Sequence, residues 1–383
     1  MNLGKRIPIH FVHSAPTPHN NFLLDELGRH PDIDLHLHYI YDGRSVPGRP
    51  WKSFVETRVS ARSIRTGISR IVDFRLMKLA MVERPSVFFI IGWDYLSLAL
   101  LIALIGILRR PLLMWDDGPT PDAISAMKKL TPKTLVKRIL INLINRTPGC
   151  VFVTGNRAAN GLAMMAFNER KLRHMPFFCR RGTFDISMKA RLGLLKDDTI
   201  ILAAGRIIYT KGFDLYVEAL ARLREKCCSG WCALLLGSGP ELKEIKAKAN
   251  HYGLGEKLRF VEWAEPDEYL SYIELCDIFV SPARFDYYPT TIISAMQAGK
   301  VVVITENVGW AGELVKAGIN GVVVPVGNVE SLASSLMRLV LDSTLRNRIG
   351  GESQKTINDW PVTRGVELIV RAAKESLGIC AAS

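Results

Sequence analysis

Short apolar runs alternate with segments of helical periodicity along nearly the whole chain. In the first half the apolar runs fall at residues 7–12, 35–40, 87–91, 112–115 and 151–153, and in the second half at residues 200–204, 233–236, 258–260, 278–280, 301–304 and 321–324. Such runs, each followed by apolar residues at helical spacing, predict βαβ units and mainly parallel sheets. A polar, basic stretch over residues 179–198 interrupts the alternation. The pattern therefore predicts an α/β protein with two doubly wound, Rossmann-like domains.

The chain length agrees with two domains, because a single hydrophobic core seldom fills 383 residues. We predict an N-terminal domain over residues 1–183 and a C-terminal domain over residues 184–355. In doubly wound domains ligands bind beyond the carboxyl ends of the strands. The binding site is therefore expected in a central cleft that the two domains face.

The hydropathy of the sequence predicts neither a signal peptide for export nor a helix that spans a membrane. The first apolar stretch is interrupted by His10 and His13 and lacks the form of a signal peptide. The longest uncharged run, residues 95–108, is shorter than the roughly 20 residues that cross a bilayer, and we predict that it forms a buried helix. The seven cysteines show no paired spacing, which indicates a reduced, cytoplasmic protein.

Positive charge is concentrated in the first half of the chain. The net charge of +13 arises entirely within residues 1–185, and the remainder is balanced. Residues 130–144 carry apolar positions at helical spacing among cations, which is typical of a helix that lies on an anionic membrane surface. The solvated face of an ordinary helix is the alternative, and no zinc-finger or RNA-binding signature points to nucleic acid. The two basic segments comprise Arg58, Arg62, Arg65, Arg70, Arg75 and Lys78, then Lys128, Lys129, Lys133, Lys137, Arg138 and Arg146.

Residues 200–223 combine a buried strand, two cations and an amphipathic helix. The strand ends at Gly205-Arg206, and Lys211-Gly212 comes just before the helix. Fixed cations beside the free amides of a helix N-terminus form an anion site. The alternative is a βα loop that carries two solvated basic side chains.

From residue 192 onward the sequence resembles the retaining GT-B glycosyltransferases of family 4, the glycosyl transferases group 1. The resemblance rests on motifs that follow one another in the family's order: Gly205-Arg206, Lys211-Gly212, Gly237-Ser238-Gly239-Pro240, Cys276-Asp277, Ser281-Pro282, Ala295-Met296-Gln297-Ala298-Gly299, Gly312-Glu313-Leu314-Val315 and Asn320-Gly321. The first half matches mainly in its rhythm of strands and helices. The resemblance implies that the last segment, residues 356–383, contains a helix that crosses back to the first domain.

The resemblance also assigns roles around the donor. Arg206 and Lys211 are expected to hold the donor diphosphate and to act in catalysis, so that no metal is required. Asp286 and Ser294 stand where the family has two glutamates that contact the donor sugar and the ribose. Asp286 keeps a carboxylate, whereas Ser294 offers one hydroxyl. Further donor contacts are expected from Gly205, Gly237, Thr290 and Thr291, and from Trp263 beside the base.

In the first domain Asp116 matches a residue of the family's acceptor side, and Trp115 occupies the place of a histidine. Asp116 could instead cap a helix, and Trp263 could be a packed indole. Asp32-Ile33-Asp34 has the form of the metal motif of another glycosyltransferase fold, and we interpret it as a solvated turn.

The function implied is transfer of a hexosyl group, with retained anomeric configuration, from a UDP- or GDP-sugar to a sugar or lipid-linked acceptor. Polysaccharide or glycolipid biosynthesis is the expected setting, at the inner face of a membrane with which the protein associates peripherally. Two alternatives stay open. A non-hydrolysing sugar-nucleotide epimerase has a similar two-domain architecture, and Ser294 gives weight to a degenerate nucleotide-binding scaffold without turnover.

Overall fold

The computed structural model describes residues 6–41 and 59–379, apart from residues 69, 83, 84, 94, 184, 186, 196 and 228. The chain forms two compact units: the first ends at Phe178 and includes the C-terminal segment from Pro361, and the second runs from Cys179 to Trp360. Arg58 of the predicted basic segments lies outside the described residues, as do Cys228 and Cys380. The other five cysteines are free.

Strands and helices alternate as the apolar pattern predicts. The strands are β1 (Ile7–His13), β2 (Ile33–Tyr39), β3 (Ser63–Arg65), β4 (Val87–Ile91), β5 (Leu112–Asp116), β6 (Val151–Val153), β7 (Leu172–His174), β8 (Thr199–Ala204), β9 (Trp231–Leu236), β10 (Leu258–Val261), β11 (Ile278–Ser281), β12 (Val301–Thr305) and β13 (Val322–Val324). The helices are α1 (Pro18–Arg29), α2 (Phe74–Val82), α3 (Leu96–Ile107), α4 (Pro121–Met127), α5 (Pro132–Arg146), α6 (Asn156–Met164), α7 (Ser187–Arg191), α8 (Phe213–Lys226), α9 (Leu242–His251), α10 (Pro266–Leu275), α11 (Thr290–Gln297), α12 (Val329–Leu341), α13 (Ser343–Asn358) and α14 (Val362–Ser376).

Each unit is built on a parallel sheet. The first sheet has the order β3-β2-β1-β4-β5-β6-β7, and the second has the order β10-β9-β8-β11-β12-β13. Both orders reverse direction beside their first strand, between β1 and β4 and between β8 and β11. The inner strands are mostly apolar and largely buried, and in β9 every residue is buried. The prediction of two Rossmann-like α/β domains is confirmed.

Every apolar run predicted to be a strand forms one, but two edge strands have no such signal. The three-residue strands β3 and β7 lie at the two edges of the first sheet and consist mostly of polar residues. An edge strand pairs on one side only and remains partly exposed, so it needs no apolar run. Such a segment can be recognised as a strand only from its pairing with the neighbouring strand in the structure.

The prediction that residues 95–108 form a buried helix is right about the helix and wrong about its burial. One face of α3 packs closely on α5, where a Cβ added at Gly106 would lie 2.6 Å from Leu143 Cβ. On the other side Leu96 and Ile107 are more than half exposed, at 54% and 69%. Sequence hydropathy could not show this, because α3 is apolar all round. In the described part of the chain no helix has the length and apolarity that crossing a bilayer requires.

The C-terminal helix α14 is part of the first unit. Lys374 Nζ lies 2.6 Å from Asp32 Oδ2, and Arg173 Nη2 lies 2.7 Å from Glu375 Oε2. The hydrogen bond from Lys374 lowers the pKa of the Asp32 carboxyl below its usual value. Asp34 pairs with Arg62 at 3.2 Å. The predicted solvated turn holds for Asp32, which lies in the turn before β2 with its side chain 45% exposed, and is corrected from Ile33 onward, where β2 begins; both carboxylates form ion pairs.

Two helical glycines give a test of how α14 packs. A Cβ added at Gly365 would lie 2.4 Å from the buried ring of Phe178, whereas a Cβ at Gly351 in α13 would meet nothing within 4 Å. We expect Gly365→Ala to lower the free energy of unfolding by about 1–3 kcal/mol through overpacking. Gly351→Ala is the control and should raise it by about 0.5–1 kcal/mol through helix propensity. Urea denaturation measures both, and a stabilised Gly365→Ala variant would contradict this packing.

Candidate functional site

A cavity of about 170 Å³ opens at the carboxyl ends of β8 and β11 in the second unit. These two strands are neighbours at the point where the strand order reverses. Doubly wound domains bind ligands at this switch point. The wall of the cavity consists of Ala204, Gly205, Lys211, Phe213, Val280, Ser281, Pro282, Asp286, Pro289, Thr290 and Thr291.

Gly212 allows the loop after β8 to approach the loop after β11. Its φ is +67°, and a Cβ at this position would lie 2.2 Å from the carbonyl oxygen of Pro282. A side chain is therefore excluded both by the left-handed backbone and by the contact. Gly212 follows the short turn Tyr209–Lys211 and precedes α8. The close approach holds Lys211 against the cavity.

Gly237 serves packing between loops. Its φ is +148°, and a Cβ there would lie 1.9 Å from the carbonyl oxygen of Gly205. The Ile207 amide also donates to the Ser238 carbonyl at 2.9 Å. Gly205 lines the cavity and Gly237 does not. The loop after β9 therefore packs against the loop that carries Arg206 and holds it in place.

The two cations predicted to hold a diphosphate differ in their surroundings. Lys211 lines the cavity, and its ammonium forms an ion pair with the carboxylate of Asp286, whose side chain is 14% exposed. Arg206 follows Gly205 directly but is exposed and lies outside the cavity wall. The structure brings Lys211 and Asp286, which are far apart in sequence, into direct contact.

The backbone of Asp286 is fixed by the loop after β12. The Asp286 amide donates to Asn307 O at 3.4 Å, and the Gly309 amide donates to Asp286 O at 3.0 Å. The hydroxyl of Thr305 donates to the carbonyl oxygen of Ala283. These hydrogen bonds continue the pairing of β11 and β12 beyond the ends of the strands. They hold in place the backbone that carries the carboxylate of Asp286.

Arg284 joins the loop after β11 to the first turn of α8. Its Nη1 and Nη2 donate to the two oxygens of Asp214 at 2.7 and 2.6 Å, and its guanidinium lies 4.1 Å from the ring centre of Tyr209. Burial raises the pKa of Asp214, but the hydrogen bonds and charge of Arg284 outweigh burial and hold that pKa below its usual value. The sequence analysis missed both residues. The available signal was an arginine two positions before Asp286.

The helix α11 begins at the cavity wall with Thr290 and Thr291. Pro289 is its N-cap and supplies no side-chain hydrogen bond to the first turn. Trp310 fixes this point, because its Nε1 donates to Pro289 O at 3.1 Å and its ring packs against Tyr288. The first amides of α11 thus lie beside Lys211 and Asp286 with no capping side chain among the described residues.

Ser294 lies one turn into α11, outside the cavity wall. It is 7% exposed, and its hydroxyl donates to Thr290 O at 3.3 Å. The thiol of Cys179 contacts the same carbonyl at 3.5 Å, and burial raises the pKa of this thiol to about 11. The hydroxyl that stands in place of a ribose-binding glutamate is therefore engaged by the backbone of its own helix.

The remaining predicted residues are not among those that line the cavity. Trp263 follows β10 at the edge of the second sheet, and its Nε1 donates to Glu265 Oε1 at 3.3 Å. In the first unit Asp116 ends β5 and accepts from the Gly118 amide at 2.8 Å. The alternative that Asp116 caps the following helix is wrong, because Thr120 caps α4. The described residues include no cluster of three or more His, Cys, Asp or Glu that could hold a metal ion.

Comparison with solved structures identifies the class of fold. The crystal structure of Anabaena Alr3699/HepE in complex with UDP and glucose aligns with a TM-score of 0.72 at 17% identity, over 96% of this chain and 99% of that chain. Sucrose-phosphate synthase from Thermosynechococcus elongatus aligns with a TM-score of 0.67 at 18% identity, over 98% and 100%. The fold is GT-B, with two Rossmann-like domains.

Sequence comparison then shows which family the second unit resembles. Residues 185–356, which lie within the second unit, match the model of glycosyl transferases group 1. The lipopolysaccharide core biosynthesis glycosyltransferase LpsE of Rhizobium meliloti is 27% identical over 49% of this chain and 53% of its own length. A GDP-mannose-dependent phosphatidylinositol monomannoside mannosyltransferase of Mycolicibacterium smegmatis is 25% identical over 47% and 49%. The match spans about half the length of these relatives.

The pairing of Arg284 with Asp214 predicts a pH-dependent stability. Because the pKa of Asp214 is lowered in the folded state, its contribution is complete above the unfolded pKa of about 3.9 and is lost as the pH falls through the lower folded value. We expect Asp214→Asn to cost about 1–2 kcal/mol at pH 7. Thermal unfolding from pH 7 to pH 3 should show its Tm deficit constant down to about pH 5 and narrowing below pH 4.

Arg284→Lys is the matched variant, because it keeps the charge without the two parallel bonds. Its Tm should lie between those of the native protein and Arg284→Ala. A Tm for Asp214→Asn that equals the native value at pH 7 would show that the pair does not hold the two loops together.

Proposed function

We propose that the protein transfers a hexosyl group from a UDP- or GDP-sugar to a sugar or lipid-linked acceptor, with retained anomeric configuration, in polysaccharide or glycolipid biosynthesis. The observation that carries the proposal is a cavity at the switch point of the second sheet whose wall combines Lys211, Asp286 and the start of α11. The family and the names of its relatives support it, since these include enzymes of lipopolysaccharide core and phosphatidylinositol mannoside synthesis.

The diphosphate of the donor is proposed to lie between Lys211 and the first amides of α11. When the bond between the sugar and the diphosphate breaks, its electron pair passes to the phosphate oxygen, and the acceptor oxygen bonds to the sugar carbon and gives its proton to the departing diphosphate. Cations and helix amides stabilise this growing charge more strongly in the transition state than in the ground state. Arg206 is proposed to approach from the rim. We propose that these cations and amides stabilise the leaving diphosphate as a metal ion does in another glycosyltransferase fold, and we therefore expect no metal requirement.

Removing the cations tests the site. Lys211→Ala and Arg206→Ala should each lower kcat/KM by about 10²–10³, because each removes charge stabilisation at the leaving group. Transfer from radiolabelled UDP- and GDP-sugars to lipid-linked acceptors measures the effect, and Tm checks the fold. Lys246→Ala is the control, since Lys246 is an exposed lysine of α9 that pairs with Glu262. Native activity in Lys211→Ala would refute the assignment.

The same assays separate the other functions considered. Conversion of the donor sugar in the absence of any acceptor would indicate an epimerase. Binding of nucleotide sugars without consumption, over the whole acceptor panel, would indicate a scaffold.

We further propose that the first unit lies on an anionic membrane at its inner face. The helices α2 and α5 both pack against α3, and none of the three contains Asp or Glu. Helices α2 and α5 carry cationic side chains. The three helices also expose a set of apolar side chains of the kind that a monomeric protein seldom leaves in contact with water. We call these three helices with Leu130 the basic apolar surface. Its exposed apolar side chains are Phe74, Met81, Val82, Leu96, Leu100, Ile107, Leu130, Leu135, Val136 and Ile139.

The membrane proposal gives a salt-dependent binding prediction. The protein should sediment with phosphatidylserine vesicles more than with phosphatidylcholine vesicles, and less as salt rises, because exposed cations are screened. The double variant Phe74→Ser/Ile139→Ser should bind about tenfold more weakly. Leu341→Ser is the control, since Leu341 is equally exposed on α12 of the other unit. Equal binding to both vesicle types, or no effect of the double variant, would exclude this surface.

A further inference from the structure

Asp286 places a carboxylate on the wall of a cavity that is proposed to receive a diphosphate. Lys211 and Asp286 are the two ionisable side chains among the residues of that wall, and they pair with each other. The positive charge of Lys211 and the negative charge of Asp286 on the wall therefore cancel each other. A diphosphate that takes the ammonium of Lys211 leaves the carboxylate of Asp286 unpaired beside a second anion.

In the described part of the chain, neither Arg284 nor Arg206 replaces Lys211 as the partner of this carboxylate. Arg284, two residues away, is held by both oxygens of Asp214 and by the carbonyl of Tyr209. The side-chain amide of Asn307 donates to the carbonyl oxygen of Arg284. Arg206 lies outside the wall. The hydrogen bonds of the Asp286 amide and carbonyl also hold the backbone of this loop in place.

A sugar can supply what the protein does not. An ionised carboxylate only accepts hydrogen bonds, and sugar hydroxyls donate them. Bonds to an ionised acceptor are roughly twice as strong as neutral ones. A nucleotide sugar thus brings both the anion that takes Lys211 and the hydroxyls that satisfy Asp286. A nucleoside diphosphate brings the anion without the hydroxyls of the transferred sugar.

We propose that Asp286 makes the site distinguish the intact nucleotide sugar from the nucleoside diphosphate product. While the sugar is attached, its hydroxyls compensate the carboxylate. Once the sugar has been transferred, the carboxylate repels the remaining diphosphate and recovers Lys211, which promotes release of the product. This inference rests on the proposed function and adds to it a role for Asp286 after transfer.

Binding of four ligands tests the inference directly. Isothermal titration of the native protein with UDP, GDP and the corresponding nucleotide sugars should give a lower Kd for the nucleotide sugar than for its own nucleoside diphosphate. Asp286→Asn keeps the size of the side chain and removes its charge. Its Kd for the nucleoside diphosphate should fall about tenfold, and its Kd for the nucleotide sugar should stay the same or rise. The product inhibition constant should fall by the same factor as the Kd of the product.

Two further variants isolate the charge. Asp286→Glu keeps the carboxylate and should keep the native preference for the nucleotide sugar. Glu313→Gln removes a carboxylate that lies outside the cavity wall, near the hydroxyl of Tyr288, and should leave both constants unchanged. If Asp286→Asn does not fold, Asp286→Glu and the native ratio still decide the question.

The outcomes separate this inference from the proposed function. A native protein that binds the nucleoside diphosphate as tightly as the nucleotide sugar overturns the inference, as does an Asp286→Asn variant whose two constants change by the same factor. If Lys211→Ala still lowers kcat/KM by about 10²–10³ in either case, the proposed function stands. A native protein that binds none of the four ligands would refute both.

Discussion

The close approach of the loops after β8 and β11 is the constraint on which the candidate site depends. Gly212 brings its own backbone to the carbonyl of Pro282 at a distance that excludes any side chain. Because the two strands are neighbours at the reversal of the sheet, the contact gathers Lys211, Asp286 and the start of α11 around one cavity. The order of the strands places the two loops side by side, and the absence of a side chain at Gly212 lets their backbones come into contact.

Around this contact Arg284 and Lys211 each have a defined partner. Arg284 is bound by Asp214 and stacks on Tyr209, so it joins the loop after β11 to the first turn of α8 and is not available to a ligand. Among the described residues Lys211 pairs with Asp286, an arrangement that an anion can displace. A bidentate arginine pair resists such exchange better than a single ammonium contact does. The site therefore combines a fixed ion pair for structure with a replaceable one for binding.

The sequence predicted the fold closely and the site in part. Apolar runs located every buried strand, because a strand covered on both faces must be apolar. They did not locate β3 and β7, which lie at the edges, and they did not show that α3 exposes Leu96 and Ile107. Within the site, Lys211, Asp286, Thr290 and Thr291 were chosen from the family pattern and line one cavity. Arg284 was missed, because its partner Asp214 lies in the first turn of α8 and no local spacing connects the two.

By itself the sequence determined the two parallel-sheet domains, the position of the charged excess and the residue types at the site, because periodicity and composition are local properties. Tertiary structure alone decided which of these residues meet. It paired Lys211 with Asp286, left Arg206 outside the cavity wall, and engaged the Ser294 hydroxyl with the backbone of its own helix. Contacts of this kind depend on distances between loops that are remote in sequence, and those distances follow from the order and packing of the strands.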